Sequence, residues 1–357
     1  MEKDKVSELF ERSGIDAGQV ERLDRVNVWQ GFIKNAEGEI ETVDLTSVQY
    51  TPRSSIDLSK LVTTAAPTLI RPSRRRKPLR SDSVSVVLPD MQIGYREDEP
   101  FHDEAAMELG LIACRELQPD NIVLLGDNLD LPTMSKFDRL GAGWNNQVQR
   151  SLNRFHHYLS QIRADNPESN LVVHWGNHDL RLHKQIIRHN GELLGLKRAN
   201  AEHELGVLTL QFLLRTKELE VQTIDAYPRG KYWLEDNLHT THGYKVRSGG
   251  NTAQAMLSDN DSSVIFGHVH RIEVATKTLT NGRIIQAVTP GTLARIDGSV
   301  PSQEHTVDES DRTVQGHDNW QQGLAVVHHN PRNHQIDVIR INQGRMNLYG
   351  NEHIWTE

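Results

Sequence analysis

Five short blocks carry most of the side chains that could do chemistry: Asp90-Met91-Gln92, Gly126-Asp127-Asn128-Leu129-Asp130, Gly176-Asn177-His178-Asp179, His242-Gly243 and Gly267-His268-Val269-His270. Each supplies oxygen or imidazole nitrogen donors. Carboxylate, amide oxygen and imidazole offered together suit Mn²⁺, Fe²⁺ or Zn²⁺ rather than a thiolate-type site. Asp90 and Gln92 are two apart, as are His268 and His270, so an extended backbone would turn each pair to one side. Gly126, ahead of Asp127, lets backbone or substrate approach closely. The Asp127 carboxylate has two oxygens with which to bridge ions about 3.5–4 Å apart. The blocks together form the ligand set of a two-metal site.

Nearly every block follows a short apolar run. Val84–Leu88, Asn121–Leu125, Leu171–His174, Leu238–Thr241 and Ser263–Phe266 are expected as strands. Between them, residues 104–117 and about 146–165 have helical apolar spacing. Near-continuously apolar strands alternating with helices predict a parallel sheet covered by helices. Ligands in such sheets sit outside the C-terminal ends of the strands, where all five blocks fall. After His270 the runs at 273–278, 283–288, 323–328 and 335–341 predict a mainly antiparallel second sheet, and 297–319 reads as a long loop.

In order and type the blocks resemble the calcineurin-like metallophosphoesterase superfamily over roughly residues 84–295, including the loop Thr289-Pro-Gly-Thr292. The resemblance implies an α/β fold, a two-sheet sandwich flanked by helices. It also implies two divalent ions, with Mn²⁺ foremost and Mg²⁺, Fe²⁺, Zn²⁺ or Ni²⁺ as the other candidates. Asp90, Gln92 and His270 would hold the first ion, and Asn177, His242 and His268 the second, with Asp127 between them. His178 would face the leaving group as acid or charge stabiliser, oriented by Asp179. Asp130 would support these ligands from behind, or merely cap a turn. Arg181 would contact a substrate phosphate, or simply be an exposed charge. The implied activity is hydrolysis of phosphate mono- or diesters by attack of a hydroxide shared between the ions. Histidine, titrating near neutrality, suits the leaving-group role.

Most of that superfamily has His where this chain has Gln92, a neutral amide that is a poorer donor to Zn²⁺ or Fe²⁺. The alternative reading is therefore a non-catalytic, phosphatase-like binding scaffold with a weakened first metal site. The Asp-x-Gln variant also resembles phage-encoded and prokaryotic members. Leu131-Pro132 after Asp130, Trp175 before Gly176, and Asp179 itself depart from the protein serine/threonine phosphatase pattern. A repair-type DNA exonuclease and a small-molecule phosphoesterase remain as alternatives.

Composition frames these readings. The 357 residues have 36% hydrophobic content and a net charge of −8, so the chain as a whole is not an obvious nucleic-acid binder. No run approaches the roughly 18 apolar residues of a membrane span, and Met-Glu-Lys-Asp-Lys at the N-terminus lacks a signal-peptide core. The expectation is a soluble protein of the cytoplasm (of the host, if phage-encoded) with no membrane partner. The single cysteine, Cys114, is expected in the core. Three parts are expected: a small α+β module at 1–50, a Pro/Ser/Arg linker at 51–80, and the catalytic domain at 81–357. The module should hold short helices near 6–10 and 19–23 and a hairpin of 26–33 with 39–45. Its role and any protein partner are unknown. Arg71 to Arg80 places six basic residues in ten, either a solvated linker or a nucleic-acid phosphate contact. His174, His183 and His239 are expected to be structural or at the surface, and Tyr95 and Arg96 line the site if their loop folds inward.

Overall fold

The computed structural model describes residues 20–34, 40–52, 82–135, 147–201, 204–301, 306–307, 313–315 and 319–356. The expected helix at 6–10, the turn at 35–38, the basic run at 71–80 and much of the 297–319 loop lie outside the described residues. The chain divides into two compact units, Met1–Thr68 and Leu69–Glu357.

In the first unit, β1 (Val20–Lys34) pairs antiparallel with β2 (Ile40–Pro52), from Lys34 opposite Ile40 to Val20 opposite Pro52. The hairpin is longer than the alternating residues alone predicted. Val20–Leu23, expected to be helical, lies in β1. A helix of five residues is marginal by itself, whereas extending an existing ladder satisfies backbone groups directly.

The second unit runs through β3 (Ser83–Leu88), a small pair β4 (Tyr95–Arg96) and β5 (Glu99–Pro100), helix α1 (Glu104–Leu117), β6 (Asn121–Leu124) and helix α2 (Gln147–Asp165). It continues with β7 (Asn170–His174), α3 (Arg181–Asn190), α4 (Leu210–Leu213), β8 (Val221–Ile224), β9 (Tyr232–Glu235) and β10 (Leu238–Thr241). Then follow α5 (Thr252–Ser258), β11 (Ser263–Phe266), β12 (Ile272–Thr278), β13 (Ile284–Pro290), β14 (Thr306–Val307) and β15 (Thr313–Gln315). The last four strands are β16 (Gln322–Asn330), β17 (Asn333–Asn342), β18 (Arg345–Leu348) and β19 (Asn351–Ile354).

Two sheets carry the fold. One has the order β19-β18-β17-β16-β3-β6-β7-β8, the other β12-β13-β11-β10-β9. In the first, β3, β6, β7 and β8 are parallel neighbours. In the second, β10, β11 and β13 are parallel, with β9 and β12 antiparallel at the edges. This corrects two expectations. Strands β10 and β11 leave the first sheet to start the second, and β16–β19 return to the first sheet instead of completing an antiparallel second one. The burial of β16 explains its place: Gln322 to Val327 are all buried, so it sits inside a sheet, paired with both β3 and β17.

Alternation along the strands builds the layers. Val87, Val123, Leu125 and Val172 from the first sheet meet Leu238 and Ile265 from the second in an inter-sheet core. Val86, Leu88, Ile122, Leu124 and Val173 point the other way, to Met107, Leu111 and Cys114 of α1 and Phe155, Tyr158 and Ile162 of α2. Helix α5 covers the outer face of the second sheet through Ala253, Met256 and Leu257 on Val264, Phe266 and Ile285. Asp103 caps α1 by accepting from Ala106 N at 2.9 Å. The result is an α/β sandwich with helices outside both sheets. Among the described residues no helix is long and apolar enough to cross a membrane.

Candidate metal centre

The parallel strands set the site. Asp90 follows β3, Asp127 follows β6 and Asn177 follows β7, while His242 follows β10 and His268 follows β11. The C-terminal ends of both sheets therefore deliver their blocks to one place. The blocks themselves are not extended, contrary to the sequence expectation. Gln92 (φ 50°), Asp127 (φ 48°), His268 (φ 73°) and His270 (φ 55°) all occupy the left-handed region. Four of seven candidate ligands thus carry a backbone conformation that costs about 1–3 kcal/mol each and persists where surrounding structure imposes it. The imposing contacts are visible. Gln92 N donates to Asp127 O at 3.0 Å, Ile93 N to Asn128 O at 2.8 Å, and Gln321 N to His270 O at 2.9 Å. Two glycines make room: a Cβ at Gly176 would lie 2.1 Å from Asp127 Oδ1, and one at Gly267 would lie 2.3 Å from Asp90 Oδ2.

Asp127 stands between the blocks. Its Oδ1 accepts from His178 N at 2.8 Å, and its Oδ2 is 3.4 Å from His242 Nε2. His242 Nδ1 is 3.0 Å from Leu125 O, and as the donor there it leaves Nε2 of the neutral ring as the acceptor nitrogen. That nitrogen is 3.3 Å from Asn177 Oδ1. A ring nitrogen, a carboxylate oxygen and an amide oxygen therefore converge as acceptors. Atoms of Asp127, His242 and His268 lie within 4.8 Å of one another. On the other flank, Asp90 Oδ1 is 3.3 Å from His270 Nε2. Asp90 also accepts from His268 N at 3.0 Å, and its main-chain oxygen accepts from Thr292 Oγ1 at 2.7 Å. The Thr289–Thr292 loop thus braces the Asp90 block.

This donor set fits divalent cations on its own evidence. Both polar atoms of the fully buried Gln92 amide, and Nδ1 of His268 and of His270, are buried without a hydrogen-bond partner. Buried polar groups are ordinarily paired; a cation would be a partner for the Gln92 Oε1 and for an unprotonated imidazole nitrogen, whereas the Gln92 Nε2 is a donor that an ion does not satisfy. The negative field agrees. Burial pushes the His242 imidazolium down, yet Asp127, Asp90 and Asp179 together raise it to about 9, so without an ion Nε2 carries a proton toward Asp127 and becomes the acceptor nitrogen only when a cation takes that proton's place. Burial opposes ionisation of Asp127 too, but His242 and His178 hold its carboxyl well below the usual range. His268, by burial and then His242, is pushed down to about 4, keeping it a neutral ligand-type imidazole.

The partner of His178 differs from the sequence expectation. Its Nδ1 lies 2.5 Å from Asp130 Oδ1, so Asp130, not Asp179, orients it. Asp179 instead accepts from Gly176 N at 2.9 Å and Leu129 N at 2.9 Å, tying the second block to the third. Burial and the neighbouring Asp127 raise Asp179 to about 6. The reason lies in chain direction: β7 ends in a tight turn that folds Asp179 back under its own backbone. Arg181 completes the group. Its Nη1 donates to Asp130 O at 2.5 Å and Oδ1 at 3.0 Å, and its Nη2 reaches His178 Nε2 at 3.0 Å. His178 Nε2 is 3.9 Å from Asp127 Oδ2.

His174 bonds Thr240 and His239 bonds Ser262, both away from the ligand cluster, as structural histidines. Tyr95 and His102 stack edge to face, and Arg150 lies over the Tyr95 ring, so Tyr95 packs toward α2. Two aromatic neighbours escaped the sequence reading. Trp320 packs against His270 with ring centroids 4.0 Å apart, and Tyr227 against His242 at 5.7 Å. Neither belongs to a block, and only long-range folding brings them there.

No family model matches the sequence. The chain is 23% identical over 278 residues to the Gene 54 protein of Mycobacterium phage L5, covering 74% of this chain and 96% of that protein. It is likewise 23% identical over 286 residues to the Gene 54 protein of Mycobacterium phage D29, covering 76% and 97%. Among solved structures, Vacuolar Protein Sorting 29 from Cryptosporidium parvum is similar with TM-score 0.35 and 11% identity, over 77% of this chain and 99% of that one. Yfce, a phosphoesterase from E. coli, is similar with TM-score 0.31 and 12% identity, over 74% and 96%. A dimetal phosphatase from Danio rerio is similar with TM-score 0.28 and 10% identity, over 69% and 92%.

Proposed function

We propose that the chain is a metallophosphoesterase of the calcineurin-like type, hydrolysing phosphate esters with two divalent ions, and that Mn²⁺ is the preferred metal. The observation that carries this reading is the convergence of Asp127, Asn177 and His242 as acceptors, beside Gln92, His268 and His270, each at positive φ and each with a buried polar atom left without a partner. Asp90, Gln92 and His270 would hold one ion, Asn177, His242 and His268 the other, with Asp127 shared. Bound divalent ions would acidify a water and neutralise phosphate oxygens.

The chain's own residues do the rest. Leu125 O fixes the His242 ring so that Nε2 faces the site. Asp130 fixes His178, and Arg181 sets an N–H against His178 Nε2. Together they put a histidine nitrogen and a fixed cation beside Asp127, where charge on a departing oxygen needs neutralising. An arginine N–H already on Nε2 favours charge stabilisation over proton donation as the role of this pair. Origin in a phage, and work in its host's cytoplasm, fit the two phage relatives.

The test is hydrolysis of bis-p-nitrophenyl phosphate with and without Mn²⁺. The wild type is expected to be stimulated by the metal, and Asp127→Ala and His178→Ala to lose at least 100-fold in kcat while keeping the wild-type circular dichroism spectrum. Unchanged turnover in both variants contradicts the proposal. The scaffold reading has one observation in its favour, the neutral amide at Gln92. It requires less than one bound ion per chain and no ester turned over with any divalent metal.

A further inference from the structure

We infer that helix α3 is a docking track for a nucleic-acid strand leading into the metal centre; this rests on the phosphoesterase reading and names its substrate class. Between Asp179 and Glu192 the chain has no acidic residue, but it has Arg181, His183, Lys184, Arg188 and His189. In a chain of net charge −8, that stretch is a local reversal of sign. Arg181, Lys184 and Arg188 recur at spacings of three and four, so they form one stripe along the helix. The helix is fixed by other residues: Leu182 packs against the main core, and Gln185 Nε2 donates to Met134 O at 3.2 Å.

Lys184 and Arg188 are exposed. Among the described residues neither pairs with a carboxylate, so their charge is available to a ligand. The stripe also has a direction. Its first residue, Arg181, touches His178 and Asp130 in the candidate centre. Lys184 Nζ lies 5.8 Å from the Tyr227 ring, whose centroid is 5.7 Å from that of His242. Cations beside an aromatic ring are the elements of single-strand recognition, the cations meeting phosphates and the ring stacking on a base. Seven residues of helix span about 10 Å, so Lys184 and Arg188 can meet neighbouring phosphates of a strand whose end lies at Arg181. The track therefore hands a strand to the metal centre phosphate by phosphate, and the substrate class is a nucleic-acid phosphodiester.

The experiment compares the Mn²⁺-loaded full-length wild type with Lys184→Gln/Arg188→Gln on two substrates, a 20-nucleotide single-stranded DNA and bis-p-nitrophenyl phosphate, over a series of salt concentrations. In the variant, KM for the oligonucleotide is expected to rise about 10-fold. The slope of log(1/KM) against log salt should flatten by about 1.4 for two lost phosphate contacts. Turnover of bis-p-nitrophenyl phosphate should not change. An unchanged oligonucleotide KM and salt slope overturns the track, as does an equal loss on both substrates. A wild type that hydrolyses the small diester but not the oligonucleotide also overturns it and leaves the phosphoesterase reading standing. A wild type that hydrolyses neither removes that reading itself.

Discussion

At the residue scale the site is unequal. Asn177 and His242 are each fixed among other acceptors, whereas the Gln92 amide has no partner on either atom. Replacing a neutral amide by imidazole at this position supplies a stronger donor. Gln92→His is expected to lower the Mn²⁺ concentration for half-maximal activity about 10-fold, the scale on which ligand surroundings alter metal affinity; an unchanged metal dependence would place Gln92 outside the first site. Asp130 gives a second test. As the group that orients His178 at 2.5 Å, Asp130→Asn should lower kcat about 10–100-fold with little change in KM, and Asp179→Asn should act mainly through stability. A larger kcat loss for Asp179→Asn would reverse the two assignments. The residue types that meet at the site were legible in the sequence, because each lay in a short block. The pairing of His178 with Asp130 was not, since sequence neighbours compete for a partner and only the turn after β7 decides between them.

At the scale of elements, the parallel strands explain why the blocks meet. The short apolar runs and the helix at 104–117 were readable because each buried strand is nearly continuously apolar and each helix keeps its period. Sheet membership was not readable. Strands β10 and β11 are as fully buried as β6, and only packing across the inter-sheet core assigns them to a second sheet. The helix expected at 19–23 lost to the ladder of β1 with β2. The junction between β7 and Asn177 carries the sharpest element-level prediction. A methyl at Gly176 would enter the space of Asp127 Oδ1, so Gly176→Ala should displace the shared carboxylate. We expect loss of more than about 100-fold in activity with at most 1–3 kcal/mol of lost stability. Activity within a factor of a few of wild type would mean that Asp127 has freedom the fold denies it.

At the scale of the whole molecule, burial of titratable groups sets the acid limit of stability. Burial, then His242 and His239, pushes His174 down to about 3, and burial with nearby Lys231 takes His239 to about 3. Each is neutral when folded, while an unfolded histidine takes up a proton below about pH 6.5. The stabilising contribution is therefore complete above pH 6.5 and falls as pH drops toward 3, by about 2 kcal/mol for each histidine at pH 5. Urea unfolding in EDTA at pH 7 and pH 5 should show this loss, and His239→Asn should show a smaller one; equal losses in both proteins would contradict it. The central claim is that loops from two sheets build a centre for two ions. Isothermal titration of the metal-free chain with Mn²⁺ tests it most directly: we expect two ions per wild-type chain, the weaker lost in Asp90→Ala and the tighter in His242→Ala. A stoichiometry below one, or one that neither substitution alters, would contradict it.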